Sequence, residues 1–156
     1  MAYWRMQLHP GDSNNASKHT LNCLSKGIVG FDFFDDIGNL RGEHGTIDEK
    51  QKDYLKFEDE MVPGDHILVI SHHFPFALVE VSSDYVYVPN AKEDLGVWFR
   101  HLRFVKVCQF YADYCTNAKS WEVTKMTDTI SPLRDVNSKS YRLIEDWVQF
   151  LKSTEI

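Results

Sequence analysis

A chain of 156 residues, 43% apolar and 13% aromatic, has enough apolar surface for one substantial core, so a single domain over residues 1–156 is expected. The net charge of −6 argues against a general polyanion binder with a uniformly basic face. No apolar run approaches a membrane span and no charged-then-apolar leader opens the chain, so a cytoplasmic protein with no membrane partner is expected. Cys23, Cys108 and Cys115 show no CxxC spacing, which suggests neither a disulfide framework nor a zinc site.

Tyr3 to Leu8 alternates as a strand does, and His9-Pro10-Gly11-Asp12 breaks it. A helix follows, with Asp12, Ser13 and Asn14 offering N-cap oxygens, Leu21 and Leu24 an apolar face, and Gly27 a left-handed C-terminal cap. Gly27 to Phe34 reads as a second strand, and Asp35 to Gly45 as a loop. Thr46-Ile47-Asp48-Glu49 has the form of a capping box, predicting a helix from Ile47 to Met61. The Val62-Pro63-Gly64-Asp65 turn launches a hairpin of His66–Ser71 and Phe76–Val81, joined through His72, His73, Phe74 and Pro75. Tyr85–Val88 and Trp98–Phe110 read as further strands, and Trp121–Met126 offers another. Ile144, Trp147, Val148 and Leu151 fall at helical spacing and predict a closing helix over residues 138–152. The order predicts an α+β fold: a curved, mostly antiparallel sheet or small open β-barrel with flanking helices.

Charge is unevenly placed. Glu43 to Glu60 holds seven acids against three lysines. Trp98 to Val107 instead carries Arg100, Arg103 and Lys106 with no acid, interleaved with Trp98, Phe99, His101 and Phe104. Such a stripe serves either as a solvated face or as a phosphate contact.

For catalysis the candidates are His66, His72, His73, Glu80 and His101, but neighbours on a strand point to opposite faces, so His72 and His73 do not converge. GxSxG, HExxH, P-loop and GxGxxG motifs are all missing. A binding domain without catalytic residue, metal or cofactor is expected. Recognition chemistry is better represented. Trp4, Phe31, Phe33, Phe34, Tyr85, Tyr87 and Trp98 sit at predicted strand ends, beside Asp32, Ser13, Asn14, Asn15 and His72. A flipped base needs that combination, its faces stacked on rings and its edge paired with a carboxylate or amide. Aromatics on strands also build cores, and spacing leaves both readings open for each ring.

Tyr3-Trp4-Arg5-Met6, a helix ending in Lys26-Gly27, Ile28-Val29-Gly30-Phe31-Asp32-Phe33, then Phe57–Met61 with Pro63-Gly64-Asp65 and Ile67-Leu68-Val69, Ala77–Val81 and His101–Val105 form a recognisable succession. It resembles the EVE and YTH branch of the PUA-like superfamily, and is most similar to the N-terminal recognition domains of McrB-type, modification-dependent restriction systems. The resemblance covers residues 1 to about 110. It implies a curved barrel that holds a modified base in an aromatic cage and performs no chemistry. Carried over by position, Phe31 or Phe33 would form one wall and Tyr85 or Tyr87 the other; Trp4 and Trp98 are cage candidates from the residue pattern alone. Ser13-Asn14-Asn15 resembles the Ser-Asn-Asn of YTH domains, and equally suits a helix N-cap. Phe stands where the family commonly has tryptophan after the second strand.

The expected function is a reader that flips a modified base from DNA and reads its edge with Asp32 or Asn14, while Arg100, Arg103 and Lys106 hold the backbone. A larger protein carrying an NTPase or nuclease is the expected partner or parent. Three alternatives stand beside it: a reader of modified RNA, a protein-interaction module using the acidic helix from Asp48 to Glu60, and a small hydrolase or nuclease built on His72, His73 and Glu80.

Overall fold

The computed structural model describes residues 1–8, 15–33, 35–90 and 97–155. The strands are β1 (Tyr3–Gln7), β2 (Ile28–Phe31), β3 (His66–Ser71), β4 (Phe74–Val81), β5 (Val86–Tyr87), β6 (His101–Phe110) and β7 (Ile130–Pro132). The helices are α1 (Ala16–Ser25), α2 (Lys52–Asp59), α3 (Tyr111–Tyr114) and α4 (Lys139–Thr154). The fold is α+β, a strongly curled, open half-barrel sheet with flanking helices. Its strands run β2-β6-β4-β3-β1-β7, with β5 also on β6.

One pairing departs from the antiparallel rule: β1 lies parallel to β3, from Tyr3 opposite His66 to Gln7 opposite Ile70. The crossover between them carries α1, β2 and α2, long enough for a parallel return. This places β3 in the middle of the sheet, where all six residues are buried. Ile67 and Val69 point into the curl with Trp4, Met6, Val79 and Phe57. Leu68 and Ile70 point to the other face, where Ile144, Trp147 and Val148 of α4 cover them. The helical spacing of those α4 residues thus marked a buried face, and Ser138 caps the helix by accepting from the Tyr141 amide at 3.2 Å.

The turn before β3 forms as its sequence requires. Asp65 N–H donates to the Val62 carbonyl at 3.1 Å, and Gly64 takes φ 97°, open to glycine and costly for other residues. The Asp65 carboxylate is buried and accepts from the Ala2 amide, the Val62 amide and Trp4 Nε1, which pins β1 to the turn. Gly30 is needed for contact, since a Cβ there would lie 2.2 Å from the His101 carbonyl and 2.5 Å from the Phe99 ring.

Three expectations are corrected. The Thr46–Glu49 capping box does not form; a 3-10 turn at Glu49–Gln51 leads into α2, with no side-chain cap at either start. Residues 121–126 form no strand; the additional strand is β7, paired antiparallel with β1. Strand β6 begins at His101 rather than Trp98, and the calls on Ser13, Asn14 and Phe34 lie outside the described residues.

Candidate functional site

The β3–β4 hairpin is shorter at its tip than the sequence predicts. Ser71 pairs with Phe74, leaving a two-residue turn of His72 and His73 with φ 54° and 62°. Two positive φ values in succession are the mark of a type I′ turn, which normally recruits Asn-Gly. A residue with a Cβ held there costs about 1–2 kcal/mol relative to its usual conformation. Just beyond the turn the register jumps: Val69 faces Ala77 but Ile70 faces Pro75, so Phe76 is the extra residue of a β-bulge. The bulge tolerates Pro75 inside a strand and re-aims the Phe76 ring.

That ring borders an open cavity of about 350 Å³. Phe74, Phe76, Phe110, Tyr111 and Trp121 supply its aromatic surface; Ser17, Ser71 and His72 supply polar groups. Phe76 meets Phe110 edge-on at 5.9 Å, and Trp121 packs against Tyr111 at 5.1 Å and Phe74 at 6.4 Å. Trp121 is anchored by Nε1, which donates to the Cys115 carbonyl at 2.8 Å. The Ser17 and Ser71 hydroxyls share a hydrogen bond of 3.1 Å, which joins α1 to the end of β3. Such a cavity offers flat apolar walls and a few hydrogen-bonding groups, the usual makeup of a site for a planar ligand.

The predicted cage residues lie elsewhere, and four of them are core. Phe31 has 0% of its surface exposed, with one face stacked on Tyr54 at 4.4 Å and the other on His101 at 5.4 Å. Both faces being covered, no base can stack on it. Phe33 packs edge-on to the same rings, and Tyr85 is buried with its hydroxyl 2.6 Å from His101 Nδ1. Trp4 is buried beneath the sheet with its indole bound to Asp65. Tyr87 and Trp98 are half-buried; Tyr87 donates to Asp36 at 2.6 Å and Trp98 to the Leu8 carbonyl at 2.9 Å.

The polar predictions divide in the same way. The Asp32 carboxylate is occupied by Arg100 Nε at 3.0 and 3.1 Å and by the Phe33 amide at 2.8 Å. Bonding to Asp32 pushes the Arg100 guanidinium up, and the hydrogen bond from Tyr87 holds Asp36 down. Arg103, predicted to face phosphate, is instead buried, donating to the carbonyls of Phe57, Ser83 and Glu58. Lys106 is exposed and borders a different cavity, between α4 and the start of β3. Asn15 stands at the N-cap position of α1, and among the described base-edge residues His72 lines the aromatic cavity.

Beneath the Asp32–Arg100 pair, burial outweighs the pull of Asp32 and pushes His101 down to about 4, so its ring is neutral at pH 7. The Tyr85 oxygen accepts from the Leu40 N–H at 3.2 Å and shares a hydrogen bond of 2.6 Å with His101 Nδ1. Nε2 lies 4.0 Å from Asp32 Oδ1, beyond hydrogen-bond reach. Burial pushes the Cys23 and Cys108 thiols up to about 11, so neither is a thiolate nucleophile at neutral pH. Among the described residues, no group of three or more His, Cys, Asp or Glu side chains is placed to hold a metal ion, and no helix is long and apolar enough to cross a membrane.

No family model matches this chain, and no curated protein matches it. Among solved structures it is similar to a hypothetical protein from Leishmania major, at 14% identity and a TM-score of 0.41, over 96% of this chain and 97% of that one.

Proposed function

We propose that the protein reads a modified nucleobase, taken out of a DNA duplex into the cavity at the β3–β4 hairpin tip, without chemistry of its own. The observation that carries this reading is the cavity of about 350 Å³ with five aromatic residues in its lining and Ser17, Ser71 and His72 beside them. Stacking on such rings contributes about 1–3 kcal/mol per base, enough to offset much of the few kcal/mol that unpairing costs. Hydroxyl and imidazole groups can pair with a base edge, and a methyl group adds apolar contact against a ring. A larger protein supplying NTPase or nuclease activity belongs to the same proposal.

The acidic-module alternative is weakened by how the acids are used. Glu58 pairs with Arg41, Glu60 with Arg134, Asp53 with Lys56 and Glu49 with Lys52. Four of the seven acids are therefore paired within the chain.

Fluorescence-anisotropy titration against matched duplexes, unmodified or carrying 5-methylcytosine or N6-methyladenine at one fixed salt concentration, tests the reading. The expected result is tighter binding of one modified duplex by roughly tenfold or more, the affinity step of about 1.4 kcal/mol. Equal affinity for all three contradicts it, and a preference for modified single-stranded RNA over the same DNA sequence would move the reading to RNA.

A further inference from the structure

Trp121, the first residue of the irregular segment 121–126, lines the cavity, and the segment is not part of the sheet. At one end the segment is held by Trp121, through its bond to the Cys115 carbonyl and its contact with Tyr111. At the other it is held by the hairpin tip. Thr124 N–H donates to the His73 carbonyl at 2.6 Å, and Met126 N–H points to His73 Nδ1 at 3.4 Å. Thr124 and Met126 are buried, so these amides have no exposed alternative.

The turn residues are unusual for this task. Both His72 and His73 sit at positive φ, where Asn-Gly would be relaxed. Backbone demand therefore does not call for histidine at these positions, and both side chains make contacts: His72 lines the cavity, and His73 Nδ1 accepts from the segment that follows Trp121. We propose that His73 is a positioning residue that clamps residues 121–126 against the hairpin tip, and so sets the width of the cavity and the base substituents it admits. The inference rests on the base-reading proposal for its ligand, and on hydrogen bonds within the chain for its mechanism.

Two variants separate the imidazole from the backbone. His73→Gly adopts positive φ without strain and keeps the carbonyl that Thr124 uses, but removes the acceptor for Met126. His73→Asn also tolerates positive φ and returns an acceptor oxygen close to the position of Nδ1. Hydrogen exchange at the Met126 amide reads the clamp with no ligand present, and the affinity ratio for modified over unmodified duplex reads the cavity. His73→Gly is expected to melt no lower than the parent, to exchange Met126 faster by about fivefold, as losing one neutral hydrogen bond predicts, and to lower the ratio by a similar factor. His73→Asn is expected to restore both. Unchanged Met126 exchange in the glycine variant overturns the clamp, as does faster exchange with an unaltered ratio. If the parent protein itself shows no preference among duplexes, the base-reading proposal falls, and Met126 exchange alone decides whether the clamp exists.

Discussion

His101 shows how one side chain can link the core to the surface. It stacks on Phe31, shares a hydrogen bond with Tyr85 and lies under the Asp32–Arg100 pair, yet is fully buried and neutral. Its folded value of about 4 lies below the usual histidine value, so the unfolded chain binds a proton more readily than the folded one. Stability is therefore complete above pH 6.5 and falls as pH drops from there toward 4, by on the order of 3 kcal/mol in full. Burial also holds His66 down, so it acts in the same direction. Urea unfolding of the parent at pH 7.5 and pH 5 should show this loss, and His101→Gln should show a smaller one. An equal loss in both proteins would remove His101 as its source.

Burial separates the rings that build the core from those that leave a face open. Phe31, Phe33, Tyr85 and Trp4 have the composition of a cage, and in sequence nothing separates rings that bury both faces from rings that leave one open. The contrast is measurable. Phe31→Ala should cost about 3–5 kcal/mol of stability, as a fully buried ring does, whereas Trp121→Ala, half-buried at the cavity, should cost less and abolish duplex discrimination.

Among elements, α2 and β6 are tied by Arg103. Its guanidinium donates to the carbonyls of Phe57 and Glu58 in the last turn of α2 and to Ser83, with its cation 5.5 Å from the Phe57 ring. A cation at a helix C-terminus meets the negative end of the helix dipole and satisfies carbonyls the helix leaves unpaired. Lysine cannot span three carbonyls with one ammonium, so Arg103→Lys should destabilise by about 2 kcal/mol while leaving nucleic-acid affinity and its salt dependence unchanged. Chemical unfolding together with titrations at two salt concentrations checks both parts. A smaller salt slope in the variant would return Arg103 to the phosphate-facing role.

Elements with strong local signals were legible. The Pro63-Gly64-Asp65 turn, β3, the apolar face of α4 and the Gly27 cap at φ 68° all appear where their residues place them. The parallel β1–β3 pairing and β7 were not, because pairing partners far apart in sequence leave no local trace. Pro75 within an apolar run was the available clue to the bulge at Phe76. Nothing comparable announced the cavity: Tyr111 and Trp121 reach it from short or irregular segments, and His72 at positive φ from a turn whose sequence does not suggest one.

At the scale of the whole molecule, the curled sheet has an apolar interior on one face and α4 across the other. Two surfaces bear on the base-reading proposal. One is the hairpin-tip cavity; the other is the Asp32–Arg100–Asp36–Tyr87 network, whose charges are already paired with one another. Under the base-reading proposal the ligand enters the first. Amide chemical-shift mapping with the preferred modified duplex tests it most directly. The largest shifts are expected on Ser71 to Phe74, Phe76, Phe110 and Trp121, with Asp32, Tyr87 and Arg100 little changed. The largest shifts at Asp32, Tyr87 and Arg100, with the hairpin tip silent, would contradict it.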